Sequence, residues 1–397
     1  MFYAATSPPR FFTLVLLSGL SVLSLNMFVP SLSNIADEFQ SDYTLVNLSI
    51  AGYAAVNAVL QLIIGPISDR FGRRPVLLAG MAIFILASLG CMLATDIWMF
   101  LMFRLLQGAV ISGVVLSSVV IRDMMSARQA ASLMGYLATA WAVAPMLGPV
   151  LGGVLDELFG WRATFLAFAG FGVVALVLCW CDLGETNKTP SSTFAKQFQA
   201  YPELLGSRRF WGYALCMAFS VGAFYAFIGG VPLVARQTFD MSAGTLGLYM
   251  GTITAGFLLG SFLSGRYADR HRLSTMMIAG RIVGCAGLVV GLALFLTVGV
   301  SVLSLFGACV FVGVGNGLTT PSSSAGALSV RPRLAGSAAG LSGSLMVGGG
   351  AVMSSLTGAV MTEENGAYAL LGMMLFSSLL SLAAALYVFC IDRSEGL

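Results

Sequence analysis

The chain is dominated by apolar segments long enough to cross a lipid bilayer. A helix needs about 20 residues to span the hydrocarbon core, and runs of that length follow one another along nearly the whole sequence. Charged residues make up only 9% of the chain, against roughly 25% in a soluble domain, so it cannot cover a surface that faces water. The sequence therefore predicts an all-α membrane protein with twelve transmembrane helices.

The predicted spans form two sets of six, separated by a polar segment. The spans are Phe11 to Pro30, Leu45 to Gly65, Pro75 to Ala94, Ile97 to Ile121, Ala131 to Leu155, Arg162 to Cys181, Phe210 to Ala235, Ser242 to Gly265, Thr275 to Val298, Val300 to Leu328, Ala335 to Met361 and Tyr368 to Ile391. The polar segment is too short for a domain of its own. We predict an N-terminal six-helix bundle (1–181), a cytoplasmic linker (182–209) and a C-terminal six-helix bundle (210–397).

A charged, glycine-containing cluster follows the second predicted span and has a weaker copy in the second half. Residues 65–75 read GPISDRFGRRP, and residues 265–272 read GRYADRHR. Both segments follow the second span of their half. This correspondence predicts an internal duplication, with the substrate path in the cleft between the two repeats.

The distribution of Lys and Arg predicts that both termini face the cytoplasm. With the N-terminus inside, the basic residues outside the spans fall on the cytoplasmic face, apart from Arg162 and Arg236. Such a bias follows the positive-inside rule. It also accounts for the net charge of +3 without nucleic acid as a partner. We predict a multi-pass protein of the cell (inner) membrane.

The cysteines and histidine give no sign of a metal site or cofactor. All seven cysteines lie within predicted spans and none forms a C-x-x-C pair, so neither disulfides nor metal sites are expected. The single histidine, His271, falls in a predicted cytoplasmic loop. No cofactor is predicted.

Polar residues inside the predicted spans are candidates for a substrate site, because an unpaired polar group in hydrocarbon is costly. In the second span Tyr53, Asn57 and Gln61 recur every four residues, which places them on one helix face. This stripe predicts a cavity lining, with interhelical hydrogen bonding as the alternative.

Two arginines also fall inside predicted spans. Arg104 is followed by Gln107 and Gly108 on adjoining faces of the fourth span, whereas Arg281 in the ninth has no comparable neighbours. Each lies roughly 10 Å from a helix end at 1.5 Å rise per residue, so each is within reach of the interface by snorkelling. We favour a functional role for Arg104 over one for Arg281.

The fifth predicted span is rich in small residues and proline. Small residues let helices approach closely, and prolines bend a helix. The residues concerned are Gly135, Pro145, Gly148, Pro149, Gly152 and Gly153.

No Asp or Glu lies deep within a predicted span. All 17 acidic residues fall in loops or at span ends, although proton coupling normally uses a group whose pKa is tuned inside the membrane. A site without a buried carboxylate predicts a preference for neutral or zwitterionic substrates over lipophilic cations.

Together these motifs resemble those of the major facilitator superfamily. The 65–74 cluster resembles the motif after helix 2, residues 101–108 resemble the helix 4 motif, and residues 135–153 are similar to the antiporter motif of helix 5. With the segment from Asn26 to Leu32 and the pair Trp161-Arg162, the chain resembles the Bcr/CflA branch of drug:proton antiporters. The likeness is close in the N-terminal half and mainly topological in the C-terminal half. It implies two pseudo-symmetric bundles that work by alternating access.

The resemblance also assigns a role to the cluster. In this family it latches the two bundles together on the cytoplasmic side in the outward-open state. Carried over, Arg73 would pair with Asp123 and Asp69 would lie near the start of helix 11. The gating and coupling residues implied are Gly65, Asp69, Arg70, Gly72, Arg73, Arg74 and Asp123.

Two positions depart from the family pattern. Ala144 stands where the helix 5 motif has glycine, and Asn26 stands where an aspartate is common in helix 1. That acid is a candidate for proton exchange, and Asn26 cannot titrate. The predicted substrate site draws on Asn26, Tyr53, Asn57, Gln61, Arg104, Gln107, Trp141, Phe224, Tyr225 and Asn316.

Three functions are consistent with these observations. The first is a monomeric, proton-coupled exporter of small amphipathic drugs or metabolites, in which Arg104 either modulates protonation at Asp123 or binds substrate. The second is an uncoupled facilitator or exporter of a polar or anionic metabolite held by Arg104. The third is an intramembrane enzyme, because residues 340–343 resemble a serine protease setting. Such a nucleophile needs a base, and no predicted span contains a histidine, so we predict no enzyme.

Overall fold

The computed structural model describes residues 9–124, 137, 144–145, 147–187, 201–267, 270–331, 334–362 and 364–394. Within these ranges, eleven helices are long and apolar enough to span a membrane. The fifth predicted span lies partly outside them, and its described residues 147–159 are helical. The helices are α1 (Phe11–Glu38), α2 (Tyr43–Phe71), α3 (Arg73–Met92), α4 (Ile97–Ile121), α5 (147–159), α6 (Arg162–Asp182), α7 (Arg208–Phe239), α8 (Ala243–Tyr267), α9 (Leu273–Thr297), α10 (Val302–Ser329), α11 (Ala335–Val360) and α12 (Gly366–Ser394).

The first two helices are longer than their predicted spans. Helix α1 continues past Pro30 to Glu38, because the proline falls in a short 3-10 turn, Val29–Ser31, where its missing N–H is tolerated. Helix α2 continues past Gly65 to Phe71. Hydropathy marks where the apolar stretch ends, whereas the helix runs on through the polar turn that follows.

The helices of each half pack mainly on one another. In the first half α3 packs against α6 and α1 against α4, and in the second half α8 and α9 pack against α10 and α7 against α11 and α12. Between the halves, α2 packs along α11. Loops alternate between two sides of the molecule, here called the α2–α3 face and the α1–α2 face after the loops they carry.

The first and last helix of each half are joined by the same kind of bond. Thr13 of α1 donates to Asp182 at the end of α6 at 2.7 Å. In the second half Tyr213 of α7 donates to Asp392 near the end of α12 at 3.2 Å, and Arg209 lies 2.9 Å from the same carboxylate. This shared feature is what an internal duplication predicts.

Candidate functional site

A charge cluster (Asp69, Arg73 and Asp123) joins three helices at the α2–α3 face. The Arg73 guanidinium lies 2.5 Å from Asp69 and 3.3 Å from Asp123, and it donates to the Ser68 hydroxyl at 2.5 Å. The Arg73 side chain is only 10% exposed. Asp69 belongs to α2, Arg73 to α3 and Asp123 to the helical extension of α4 that runs to Met124, so the cluster fixes the three helix ends together.

Glu185, in the segment after α6, completes the turn between α2 and α3. Its two carboxylate oxygens accept from the backbone N–H groups of Arg73 at 3.0 Å and Arg74 at 3.2 Å. These N–H groups have no partner within the helix, and a negative charge there is favoured by the helix dipole. Gly72 adopts a φ of 97°, which favours glycine, and a methyl group at Gly72 would overlap the Glu185 carboxylate.

The next two residues also bind the cluster. Thr186 donates to the Asp123 carboxylate at 3.4 Å, and Asn187 donates to the backbone carbonyl of Asp69 at 2.8 Å. Sequence reasoning treated 182–209 as a linker and missed these contacts. The available signal was a run of Glu, Thr and Asn directly after a span that ends on this face.

The other predicted gating residues lie around the cluster. The Arg70 guanidinium stacks on Phe71 at 5.4 Å, and that of Arg74 stacks on Trp180 at 5.2 Å. The carbonyl of Gly65 accepts from Ser68 at 2.8 Å. These residues anchor the rim of the turn rather than the Asp69–Arg73–Asp123 contacts themselves.

Loss of Glu185 should loosen the turn. We expect Glu185→Ala to lower the free energy of unfolding by about 1–2 kcal/mol, because two N–H groups lose a charged acceptor. Thermal unfolding of the detergent-purified protein measures this. Glu364→Ala, which removes an exposed acid at the α1–α2 face, is the matched control. Equal effects of the two substitutions would contradict the assignment.

Arg104 lies at the centre of the first bundle and is fully buried. It donates to the carbonyls of Ser49 at 3.2 Å and Ser24 at 2.7 Å, and to the Gln107 side-chain oxygen at 2.7 Å. Gln107 in turn donates to Ser88 of α3 at 2.7 Å. One guanidinium therefore links α1, α2 and α4, and Gln107 extends the link to α3.

Two aromatic rings lie against this guanidinium. Its carbon lies 4.2 Å from the Phe28 ring centroid and 4.0 Å from that of Tyr53, distances suited to cation–π attraction. Tyr53 also hydrogen-bonds to Ser24. In the described part of the chain, the partners of Arg104 are carbonyls, an amide and rings, and none is a carboxylate. Arg104 therefore does not snorkel to the interface.

The structure divides the polar stripe of α2 among different surroundings. Tyr53 points into the first bundle, Asn57 lies 3.1 Å from where a methyl group on Gly108 would sit, and Gln61 lies 3.0 Å from the same point on Gly343 of α11. Each four-residue step turns about 40° beyond a full helical turn. The stripe therefore rotates from the bundle core towards the opposite bundle, and Gln61 is its member at the interface.

Asn26 of α1 faces α5. It is buried, its side-chain nitrogen donates to the carbonyl of Val22 at 2.9 Å, and its side-chain oxygen has no partner among the described residues. A methyl group on Gly148 would lie 3.3 Å from Asn26. Two further predicted residues, Trp141 and Gly135, lie outside the described residues.

The predicted aromatic residues of α7 lie near α11. The rings of Phe224 and Tyr225 meet edge to face at 6.3 Å. Tyr225 packs on Gly350, where a methyl group would approach its ring to 2.6 Å. Phe224 is half-buried and Tyr225 is buried.

The glycines of α5 allow contacts with a helix on each side. A methyl group on Gly152 would overlap the carbonyl oxygen of Met27 in α1. On the adjoining face, a methyl group on Gly153 would overlap the carbonyl oxygen of Ala243 in α8. The carbonyl oxygen of Pro149 is similarly close to Gly247 of α8, while Pro145 is half-buried. Part of the helix 5 motif therefore packs within the first bundle and part against the second.

Hydrogen bonds join the two bundles towards the α1–α2 face. Thr44 of α2 donates to the carbonyl of Gly358 in α11 at 2.9 Å, and Asn47 donates to the carbonyl of Ser354 at 2.8 Å. Asn47 is 1% exposed, so its bond is shielded from water. The sequence analysis did not identify Thr44 and Asn47, because their acceptors are backbone carbonyls, which every residue has.

An ion pair adds to this closure at the surface. Arg236 at the end of α7 lies 3.0 Å from Asp37 at the end of α1 and donates to Asn34 at 3.0 Å. Ser33 donates to the carbonyl of Pro232 at 3.2 Å. Together with α2–α11 and α5–α8, these contacts hold the two bundles together on this side.

Arg281 occupies the core of the second bundle and is also fully buried. It donates to the Thr319 hydroxyl at 2.8 Å and to the Asn316 side-chain oxygen at 2.9 Å. Ser220 of α7 donates to the same Asn316 oxygen at 2.9 Å. Asn316, a predicted substrate residue, is therefore bound to Arg281 in this structure.

The fold and sequence both match known transporters. The Major Facilitator Superfamily signature covers residues 14–355. The chain belongs to the Major Facilitator Superfamily. Among its relatives, the uncharacterized MFS-type transporter YdgK of Bacillus subtilis is 32% identical, over 68% of either chain. The bicyclomycin resistance protein homolog of Haemophilus influenzae is 28% identical over 87% of each, and multidrug resistance protein D of Escherichia coli is 28% identical over 90% of each.

Solved structures of this superfamily share the fold. A bacterial homologue of the human lysosomal transporter Spinster, solved in an inward-facing and unoccupied conformation, has a TM-score of 0.76 at 17% identity and covers 96% of each chain. A D-xylose–proton symporter has a TM-score of 0.71 at 16% identity, covering 94% of this chain and 96% of its own. The predictions of this fold, of the superfamily and its drug-resistance branch, and of a multi-pass transporter rather than an enzyme are confirmed.

Proposed function

We propose that this superfamily member is a proton-coupled exporter of small amphipathic drugs or metabolites, chiefly neutral or zwitterionic. Relatives named for resistance to bicyclomycin and to multiple drugs support export. The lack of Asp and Glu deep within the spans supports the exclusion of lipophilic cations, which need a counter-charge in hydrocarbon.

The observation that carries alternating access is the unequal state of the two faces. At the α1–α2 face, Asn47 and Thr44 bind the opposite bundle. At the α2–α3 face, Arg73 is bound to Asp69 and Asp123 of its own bundle. A transporter that exposes its site to one side at a time has one gate closed and the other released, and the contacts among the described residues of the two faces support such a form.

The remaining topological predictions belong to the same proposal. Bundles 1–181 and 210–397 move about the linker 182–209, both termini face the cytoplasm, and the protein acts as a monomer in the inner membrane. With that orientation the α1–α2 face is external, and its contacts between the bundles would close the protein to the outside. Formation of the cytoplasmic latch would then close the α2–α3 face as the other face opens.

We place proton exchange at the charge cluster rather than at Arg104. Arg104 and Asp123 are 19 positions apart in sequence, roughly 28 Å along a helix, and Arg104 is fully bonded within the bundle core. Asp123 is bonded to Arg73 and Thr186, and its side chain is 28% exposed. Loss of the charge on Asp123 would weaken the tie between α3 and the end of the α4 helix, while Asp69 and Ser68 still hold Arg73 at the end of α2.

Transport by the reconstituted protein tests the proposal. Proteoliposomes are given a pH gradient or a membrane voltage separately, and the flux of neutral, zwitterionic and cationic compounds is followed. We expect the pH gradient to drive neutral and zwitterionic compounds, and Asp123→Asn to abolish that drive while leaving counterflow. A flux that does not change with the pH gradient favours the uncoupled carrier. Strong export of lipophilic monocations contradicts the proposed substrate class.

A further inference from the structure

Among the described residues, each bundle contains one fully buried arginine, and the two differ in how completely they are bonded. Each nitrogen of the Arg104 guanidinium has an acceptor, and two rings lie against it. Arg281 uses Nε and Nη2, whereas its Nη1 is buried with no partner among the described residues. Leaving a buried donor unpaired is costly, and it is more costly for a charged group.

The surroundings of Arg281 also leave its charge uncompensated. Its partners, Asn316 and Thr319, are neutral, and no described carboxylate forms an ion pair with it. An ionised group inside the membrane is ordinarily paired or functional. A ligand carrying a carboxylate would supply both the missing acceptor and the missing charge.

We infer that Arg281 is the substrate-recognition residue of the second bundle and binds the carboxylate of zwitterionic compounds. The inference rests on the proposed export function and names the group that the site recognises. A planar guanidinium matches a carboxylate in a two-bond contact. Nη1 has no acceptor among the described residues, so it can bind one ligand oxygen. The second ligand oxygen can replace the Asn316 oxygen on Nη2, because that oxygen still accepts from Ser220.

The helix opposite Arg281 contains a proline close to the residues that bind the guanidinium. Asn316 and Thr319 lie just before Pro321, within α10. Proline lacks the N–H that would bond the carbonyl of Gly317, so the helix bends readily there. Arg281 is fully buried in the present state. Bending of α10 at Pro321 during alternation would expose the guanidinium to the central cleft.

A matched pair of ligands tests this assignment. Binding of 4-phenylbutyrate and of its uncharged amide to the purified protein is measured by tryptophan fluorescence. We expect the carboxylate to bind about tenfold more tightly, as a charge-assisted bond adds roughly 1.4 kcal/mol or more. Arg281→Gln should remove that preference and leave the Kd of the amide within about threefold. Arg331→Gln, a change at a half-exposed arginine of the same bundle, should preserve the preference.

A second variant keeps the test decisive if Arg281→Gln does not fold. Asn316→Asp places a carboxylate on the guanidinium and should abolish the preference by occupying the site. Loss of both ligands alike, or a preference that survives both substitutions, overturns the inference. No preference in the wild type, as expected if only a buried water binds Nη1, also overturns it. If a pH gradient still drives the flux of neutral compounds in that case, the proposed function stands although the Arg281 assignment fails. If the wild type prefers the carboxylate ligand but a pH gradient drives no flux, the proposed function is wrong and the Arg281 assignment stands.

Discussion

Gly152→Ala is expected to abolish transport and to destabilise the protein by about 3 kcal/mol, the upper part of the range for overpacking. The added methyl group would overlap the carbonyl oxygen of Met27, and a backbone atom cannot rotate away as a side chain can. Helices α1 and α5 must therefore separate, which also disturbs Asn26 and the neighbouring contact of α5 with α8. Thermal unfolding in detergent and flux in proteoliposomes measure the two effects.

Gly170→Ala provides the control. It is the same substitution in a transmembrane helix, α6, but apart from its own stretch of helix no atom of the described residues lies within 4 Å of the position that the methyl group would take. We expect wild-type stability and transport within error. If Gly152→Ala behaves like Gly170→Ala, the close packing of α5 on α1 is not required and the account of the helix 5 motif is wrong.

Arg104→Leu is expected to have the second large effect, a loss of at least about 3 kcal/mol of stability. Leucine fills part of the volume but leaves the carbonyls of Ser24 and Ser49 and the side-chain oxygen of Gln107 without their donor. Arg104→Lys keeps the charge but loses the planar fork and the stacking on two rings. We expect it to lose about 1–2 kcal/mol.

Comparing the effects of Arg104→Leu on stability and on ligand binding distinguishes a structural role from a role in binding ligand. The measurements are thermal unfolding and the yield of monodisperse protein, with Arg331→Leu as a control at a half-exposed arginine. A structural tie predicts that Arg104→Leu reduces the binding of carboxylate and amide ligands alike. Normal stability combined with selective loss of carboxylate binding would make Arg104 the recognition residue and contradict the account.

The fold could be predicted from the sequence because the bilayer leaves few alternatives. Apolar length sets the number of helices, and every buried backbone group must be bonded within a helix or a closed barrel. The proximity of Arg73 and Asp123 was also accessible, since the alternation of spans places both on one face. The helix ends could not be predicted. Helix α2, for example, continues from Gly65 to Phe71 through polar residues that hydropathy assigns to a loop.

The candidate site could be predicted only in part. Arg104 and Arg281 differ in the acceptors within reach of each nitrogen. This difference arises from three-dimensional packing and cannot be read from the sequence neighbours of either residue. Glu185 binds backbone N–H groups of another helix, and Asn47 binds a backbone carbonyl of the other bundle. Backbone N–H and carbonyl groups occur at nearly every residue, so the sequence does not show which of them will be bound.

Distances across both faces test alternating access most directly. In a variant without the native cysteines, spin labels at the exposed positions Asp42 and Glu364 report on the α1–α2 face, and labels at Phe71 and His271 report on the α2–α3 face. Electron–electron resonance is recorded with and without a transported compound at two pH values. We predict that the Asp42–Glu364 distance lengthens as the Phe71–His271 distance shortens. Distances that stay fixed, or that change in the same direction while transport proceeds, would contradict alternating access by these two bundles.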